Sequence, residues 1–236
     1  MEKEKNDKVK RIIFNVLKLL LVFILFYYSS FLQYIPVYLF KIKTPISGAT
    51  SVLLSSFSNL VLVIILFLIY RKELIKEFKK FKNHFVEDVD VGIKSWFIGL
   101  IIMFICNAIL IHFTSGQSKN EQLVQEMISA LPWVMLIDAG ILGPFIEEII
   151  FRKAIRDVIE NKYIFIVISG LVFGLMHVIT SFDSLGTFLF FIPYTALGIA
   201  FAYAYQKTNT IFTSIFVHMM HNTILILLSI LPTLLK

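Results

Sequence analysis

The stretch PFIEEIIFRKA, Pro144–Ala154, places two adjacent glutamates and an arginine in a chain otherwise written for hydrocarbon. Around it, the run from Pro132 to Ile150 holds nine Leu, Ile, Val or Phe residues. Each gains about 0.3–0.6 kcal/mol on insertion, whereas each charge at a helix centre costs about 2.5–3.5 kcal/mol. Asp138, Glu147 and Glu148 together cancel the gain of the whole run. Ionisable residues kept at that depth are paired or face a wet cavity, and by default they mark a functional site.

Outward from this stretch, the 236 residues are 58% hydrophobic and 15% aromatic, with a mean hydropathy of +0.82. Soluble domains hold only about 45–50% apolar residues. The composition predicts an all-α fold, a polytopic membrane helix bundle. Apolar runs near 12–40, 51–70, 94–114, 132–151, 162–180, 187–206 and 210–232 give seven transmembrane helices, since about 20 residues suffice to cross. The first run has room for a re-entrant or interfacial turn ending at YIPVYLF, which would raise the number of segments to eight.

Lysine and arginine set the orientation, because basic flanks stay cytoplasmic. Seventeen fall before Ile12, from Arg71 to Lys94, from Arg152 to Lys162 and at Lys207, against Lys41, Lys43, Lys119 and Lys236 on the other side. The N-terminus is thus expected in the cytoplasm, and the net charge of +6 reads as a topology signal and not as a nucleic-acid footprint. In RKELIKEFKKFKNHF, Arg71–Phe85, the residues Leu74, Phe78, Phe81 and Phe85 share one helical face among lysines. That pattern predicts a cytosolic amphipathic segment near 71–90 on the inner membrane surface. The lone Cys106 excludes a disulfide or a cysteine metal cluster within one chain. No small-residue cleavage site follows the first apolar run, so no removable signal peptide is expected. Such a small, basic chain fits a bacterial plasma membrane, with N-terminal transmembrane helices over 1–125 and a four-helix core over 126–236 that carries the chemistry.

Helical spacing divides the labour between the glutamates. Glu148 and Arg152 stand at i and i+4, acid first, and form a charge pair. Glu147 points about 100° away and has no local partner, which makes it the candidate general base. Pro144, after Gly143, deletes a backbone hydrogen bond and should kink the helix. Lys162 lies midway between Glu147 and His177, so an antiparallel hairpin brings both to one depth, about 22 Å from the turn. His177 shares a face with Gly170 and Gly174, a spacing that permits close helix approach. On the last span, His218 and Asn222 stack on one side and supply the donors that an oxyanion site requires. Ala196, Ala200 and Ala204 read as a packing seam. A transporter would use similar residues, but no inverted repeat or paired broken helices are visible.

Together these residues resemble a known family. Glu147, Glu148 and Arg152 look like its EExxxR motif, Phe173 and His177 like FxxxH, and His218 and Asn222 like HxxxN, in the order used by the CAAX-processing and bacteriocin-processing proteases (CPBP, also called Abi). The resemblance covers about residues 130–230 and implies an intramembrane endopeptidase similar to type II CAAX prenyl proteases. By that resemblance, Glu147 and His177 activate a water, His218 and Asn222 stabilise the tetrahedral oxyanion, and Glu148 with Arg152 shapes the site. The partners would be the bilayer and a membrane-associated peptide or protein: a prenylated CAAX end, a pheromone or a bacteriocin leader. A non-catalytic bacteriocin-immunity or peptide-binding protein is the other reading of the same residues.

Two chemistries suit this constellation. Without a metal, hydrolysis is of glutamate type. With zinc, Glu147, His177 and His218 would be ligands and water the fourth. Asn222 suits an oxyanion better than zinc, and no HExxH occurs, so the metal-free form with no cofactor is favoured.

Overall fold

Apolar composition and well-placed caps account for the architecture. The computed structural model describes residues 2–43, 45–114, 118–179 and 185–235. Among these, every regular element is a helix. Helix α1 (Glu2–Tyr28) runs through a 3-10 turn, Ser29–Gln33, into α2 (Tyr34–Leu39). At about 9 Å, α2 is too short for a crossing of its own. Helix α3 (Gly48–Asn83) opens where the Ser47 hydroxyl accepts the Thr50 N–H at 3.2 Å, an N-cap that satisfies one otherwise unpaired donor. Helix α4 (Phe85–Thr114) follows, then α5 (Lys119–Ala130), capped by Ser118.

Next come α6 (Pro132–Ile137), α7 (Gly143–Glu148) and α8 (Ile155–Val158), joined end to end by π-helical segments at Asp138–Leu142 and Ile149–Ala154. Asn161 caps α9 (Lys162–Met176) by accepting from two backbone N–H groups. The short α10 (Leu185–Leu189) leads to α11 (Phe191–Thr208) and then α12 (Ile211–Leu234). Asn209 turns the chain between the last two, in the left-handed conformation (φ 53°) that commonly ends helices.

This is a multi-pass helical membrane protein. Among the described residues, five stretches are long and apolar enough to cross a bilayer: Asn6–Leu39, Gly48–Asn83, Phe85–His112, Leu185–Thr208 and Ile211–Pro232. The two other expected spans are α9, a shorter apolar helix of about 22 Å, and the α6–α8 rod, which carries the carboxylates.

Small residues set how closely helices meet. A Cβ on Gly174 would collide with the Thr195 side chain and come within 2.6 Å of the Phe191 carbonyl oxygen, while one on Gly198 would lie 2.9 Å from the Gly170 carbonyl. Helices α9 and α11 therefore touch backbone to backbone. On the far side of α11, a Cβ on Gly99 of α4 would stand 2.6 Å from that of Ala200, which makes the alanine seam a real packing surface.

The basic stretch that begins at Arg71 is the end of α3, continuous with the span. Leu74 and Phe81 turn inward, and Phe78 packs edge-on against Phe212 with centroids 5.1 Å apart. Leu74 and Phe81 are thus buried, while Phe78 and Phe85 stay exposed. Polar ends lock the arrangement: Lys80 Nζ donates to the Thr208 carbonyl at 2.8 Å, and Glu77 Oε2 accepts the Ile211 N–H at 2.7 Å. A carboxylate at a helix start is favourably placed.

Candidate active site

Pro144 decides the local geometry of the glutamate-bearing helix. The Gly143 N–H bonds the Asp138 carbonyl, five residues back, in the π register. In that register the next donor would be residue 144 and its acceptor Ala139, but proline has no N–H. Asn222 takes over, its Nδ2 donating to the Ala139 carbonyl at 2.9 Å. A π bulge thus directly precedes Pro144, and π bulges are frequent at functional sites. The third carboxylate of the run, Asp138, accepts from Asn59 Nδ2 at 2.9 Å and so joins α3 to this helix.

Glu148 and Arg152 pair as their spacing implies, Oε2 to Nε at 3.3 Å, with both side chains fully buried. A buried ion pair needs further hydrogen bonds to offset desolvation. Glu148 Oε1 lies 2.8 Å from His218 Nδ1, Arg152 donates to the Gly198 carbonyl at 3.3 Å, and the guanidinium sits 4.2 Å over the Phe173 ring.

Those contacts assign the imidazoles. The Phe173 carbonyl can only accept, so His177 Nδ1, 2.8 Å away, carries the proton. His218 Nδ1 likewise donates to Glu148. The Nε2 atoms of both rings face Glu147 Oε2, at 3.8 Å from His177 and 3.7 Å from His218. These separations exceed a direct hydrogen bond and suit one bridging group that brings protons or positive charge. They are also slightly wider than the roughly 3.3–3.5 Å between ligands of tetrahedral zinc. Among the described residues no group of three His, Cys, Asp or Glu side chains is arranged to hold a metal ion. Glu147 keeps 23% and His177 16% side-chain exposure, but Glu147 Oε2 itself is buried and has no hydrogen-bond partner among the described residues.

The structure therefore gathers Glu147, Glu148, Arg152, His177 and His218, on three separate helical segments. Asn222 lies one turn beyond His218 with one amide hydrogen spent on Ala139. Convergence requires α9 to start well outside the level at which α12 starts, because His177 lies fifteen residues after Lys162 but His218 only seven after Ile211. His221 faces away, and its Nδ1 accepts from Trp96 Nε1 at 3.2 Å.

Two aromatic side chains escaped the sequence reading. Tyr194 stacks on His177 at 4.5 Å and 25°, and its hydroxyl meets Ser118 Oγ at 2.8 Å and Asn120 Nδ2 at 3.4 Å. Phe201 stacks on His218 at 4.6 Å. Neither has a local signal in the sequence, since both lie on a helix with none of the motif residues.

Comparison with known proteins shows what this segment is similar to. Residues 129–224 match the family described as type II CAAX prenyl endopeptidase Rce1-like. The matched segment spans all seven motif residues. Curated relatives include "Putative membrane peptidase YdiL" of Bacillus subtilis (strain 168), 34% identical over 60% of this chain and 56% of that protein. "Membrane-embedded CAAX protease MroQ" of Staphylococcus aureus (strain USA300) is 26% identical over 56% of this chain and 54% of its own length. "UPF0177 protein YxdF" of Lactococcus lactis subsp. lactis (strain IL1403) is 28% identical over 50% and 60%. The chain thus spans a little over half the length of the curated relatives it matches. No solved structure matches it at a comparable level.

Proposed function

We propose that this protein is an intramembrane endopeptidase that hydrolyses a peptide bond in a membrane-associated peptide or protein. The observation that carries the reading is the convergence of Glu147 Oε2 with the Nε2 atoms of His177 and His218, inside the segment that matches the Rce1-like family. In this reading the bridging group is a water held by Glu147 and His177. Glu147 takes a proton from it as the water oxygen attacks the carbonyl carbon, and returns that proton to the leaving amine. His218, with Nε2 protonated, and the second amide hydrogen of Asn222 donate to the oxyanion. Preorganised donors in a water-poor site of this kind are typically worth 10²- to 10³-fold each. Glu148 and Arg152 hold the His218 ring. The basic end of the bundle faces the cytoplasm, N-terminus included, in a bacterial plasma membrane. Candidate substrates are prenylated CAAX ends, pheromones and bacteriocin leaders.

A zinc form of the reaction keeps one supporting feature. Each imidazole gives its Nδ1–H to an oxygen acceptor, as ligating histidines almost always do. Glu147, His177 and His218 would then be the ligands, and zinc would supply Lewis acidity at the water.

The test is cleavage of a fluorogenic membrane-peptide library by the purified chain in detergent, comparing wild type with Glu147→Gln and determining metal on the same sample. Cleavage lost in a folded mutant without bound metal supports the glutamate type. Cleavage proportional to bound zinc supports the metal type. Absent cleavage by the wild type, with Glu147→Gln unimpaired in cells, would replace both with a peptide-binding or immunity role.

A further inference from the structure

We propose that the groove between α1 and α3, at the basic end of the bundle, binds one anionic phospholipid. The groove has a volume of about 620 Å³. Its apolar wall comes from Phe14, Leu17, Leu21 and Leu68, all exposed, and its polar lining from Arg71 and Lys72 together with the paired Lys18 and Glu73. The two parts lie in the order a lipid needs. Leu68 precedes Arg71 by about one helical turn, roughly 5 Å, on the side toward the middle of the span.

Charge decides which headgroup fits. Lys18, at the floor, is already committed: its Nζ lies 3.0 Å from Glu73, 3.8 Å from Asp157 and 3.7 Å over the Tyr70 ring. Nearby Lys8 and Arg11 face Glu160 at 3.6 Å and 3.7 Å. Arg71 and Lys72 are exposed and make no ion pair among the described residues, so two cations remain for a phosphate. A zwitterionic headgroup brings its own ammonium beside them, whereas an anionic one leaves the phosphate charge uncompensated. Basic pockets between membrane helices favour anionic headgroups for this reason. The site does not depend on the protease reading, because none of its residues touches the glutamate–histidine cluster.

Native mass spectrometry of the full chain, with equimolar dioleoyl-phosphatidylglycerol and dioleoyl-phosphatidylcholine in detergent, tests the site. Wild type should retain the anionic lipid with a preference of roughly 10- to 30-fold. Arg71→Glu/Lys72→Glu should abolish that preference. Lys76→Glu/Lys79→Glu, exposed on the same helix but outside the groove, should keep it. Leu17→Trp/Leu68→Trp, which fills the groove, should lower retention of both lipids. Equal retention of the two lipids by wild type would overturn the proposal. So would equal loss in the two charge-reversed variants, because diffuse surface charge would then explain the preference.

Discussion

Glu148 Oε1 and His218 Nδ1 lie 2.8 Å apart, on helices separated by 70 residues of chain. The same carboxylate holds Arg152, so one buried group fixes both a charge and an imidazole. Glu148→Gln leaves the guanidinium without its counter-charge in a fully buried position. Removing one partner of such a pair typically costs about 3–5 kcal/mol. The variant should therefore melt well below wild type in detergent, while Glu147→Gln melts close to it. Equal midpoints for the two would show that Glu148 is not structural.

The Asn222–Ala139 contact compensates for Pro144 and can be checked by a double-mutant cycle. Asn222→Ala strands the Ala139 carbonyl, at a cost of about 1–3 kcal/mol. Pro144→Ala returns an N–H to the helix. The double variant should lose less stability than the sum of the singles, as read from unfolding midpoints. Additive losses would mean that the amide does not stand in for the missing donor.

Tyr194 separates two effects on His177. Tyr194→Phe keeps the stacked ring and loses only the hydroxyl contacts to Ser118 and Asn120, whereas Tyr194→Leu loses both. If the ring positions the imidazole, kcat should fall about tenfold or more in Tyr194→Leu with KM little changed, and clearly less in Tyr194→Phe. ¹⁵N-histidine spectra should show the His177 signal moving only in the leucine variant. Unchanged spectra in both would leave the tyrosine without a positioning role.

Gly174→Ala puts a methyl into the Thr195 side chain and the α11 backbone. Overpacking usually costs about 1–3 kcal/mol, and backbone cannot step aside as a flexible side chain can. This variant should be destabilised at the top of that range, and activity should fall because His177 lies three residues on. Gly48→Ala, which meets nothing within 4 Å, serves as the control and should be neutral.

The amino-acid sequence by itself determined that this chain lives in a bilayer, roughly which stretches become its helices, and that Glu148 pairs with Arg152. Each of these rests on local quantities: the hydropathy of a run, or the i to i+4 step that any helix makes. It also carried the motif residues, whose order on successive helices was enough to raise the family resemblance. Only the tertiary structure decided that Glu148 grips His218, that Glu147 faces two imidazoles, that Asn222 serves the carbonyl Pro144 leaves unpaired, and that Tyr194 lies against His177. It also packed the basic end of α3 against the start of α12. These are contacts between different helices, fixed by their relative depth, rotation and closeness. Such quantities depend on where small residues such as Gly174 and Gly198 let backbones touch, and on the two π-helical segments that shift the phase of the glutamate helix.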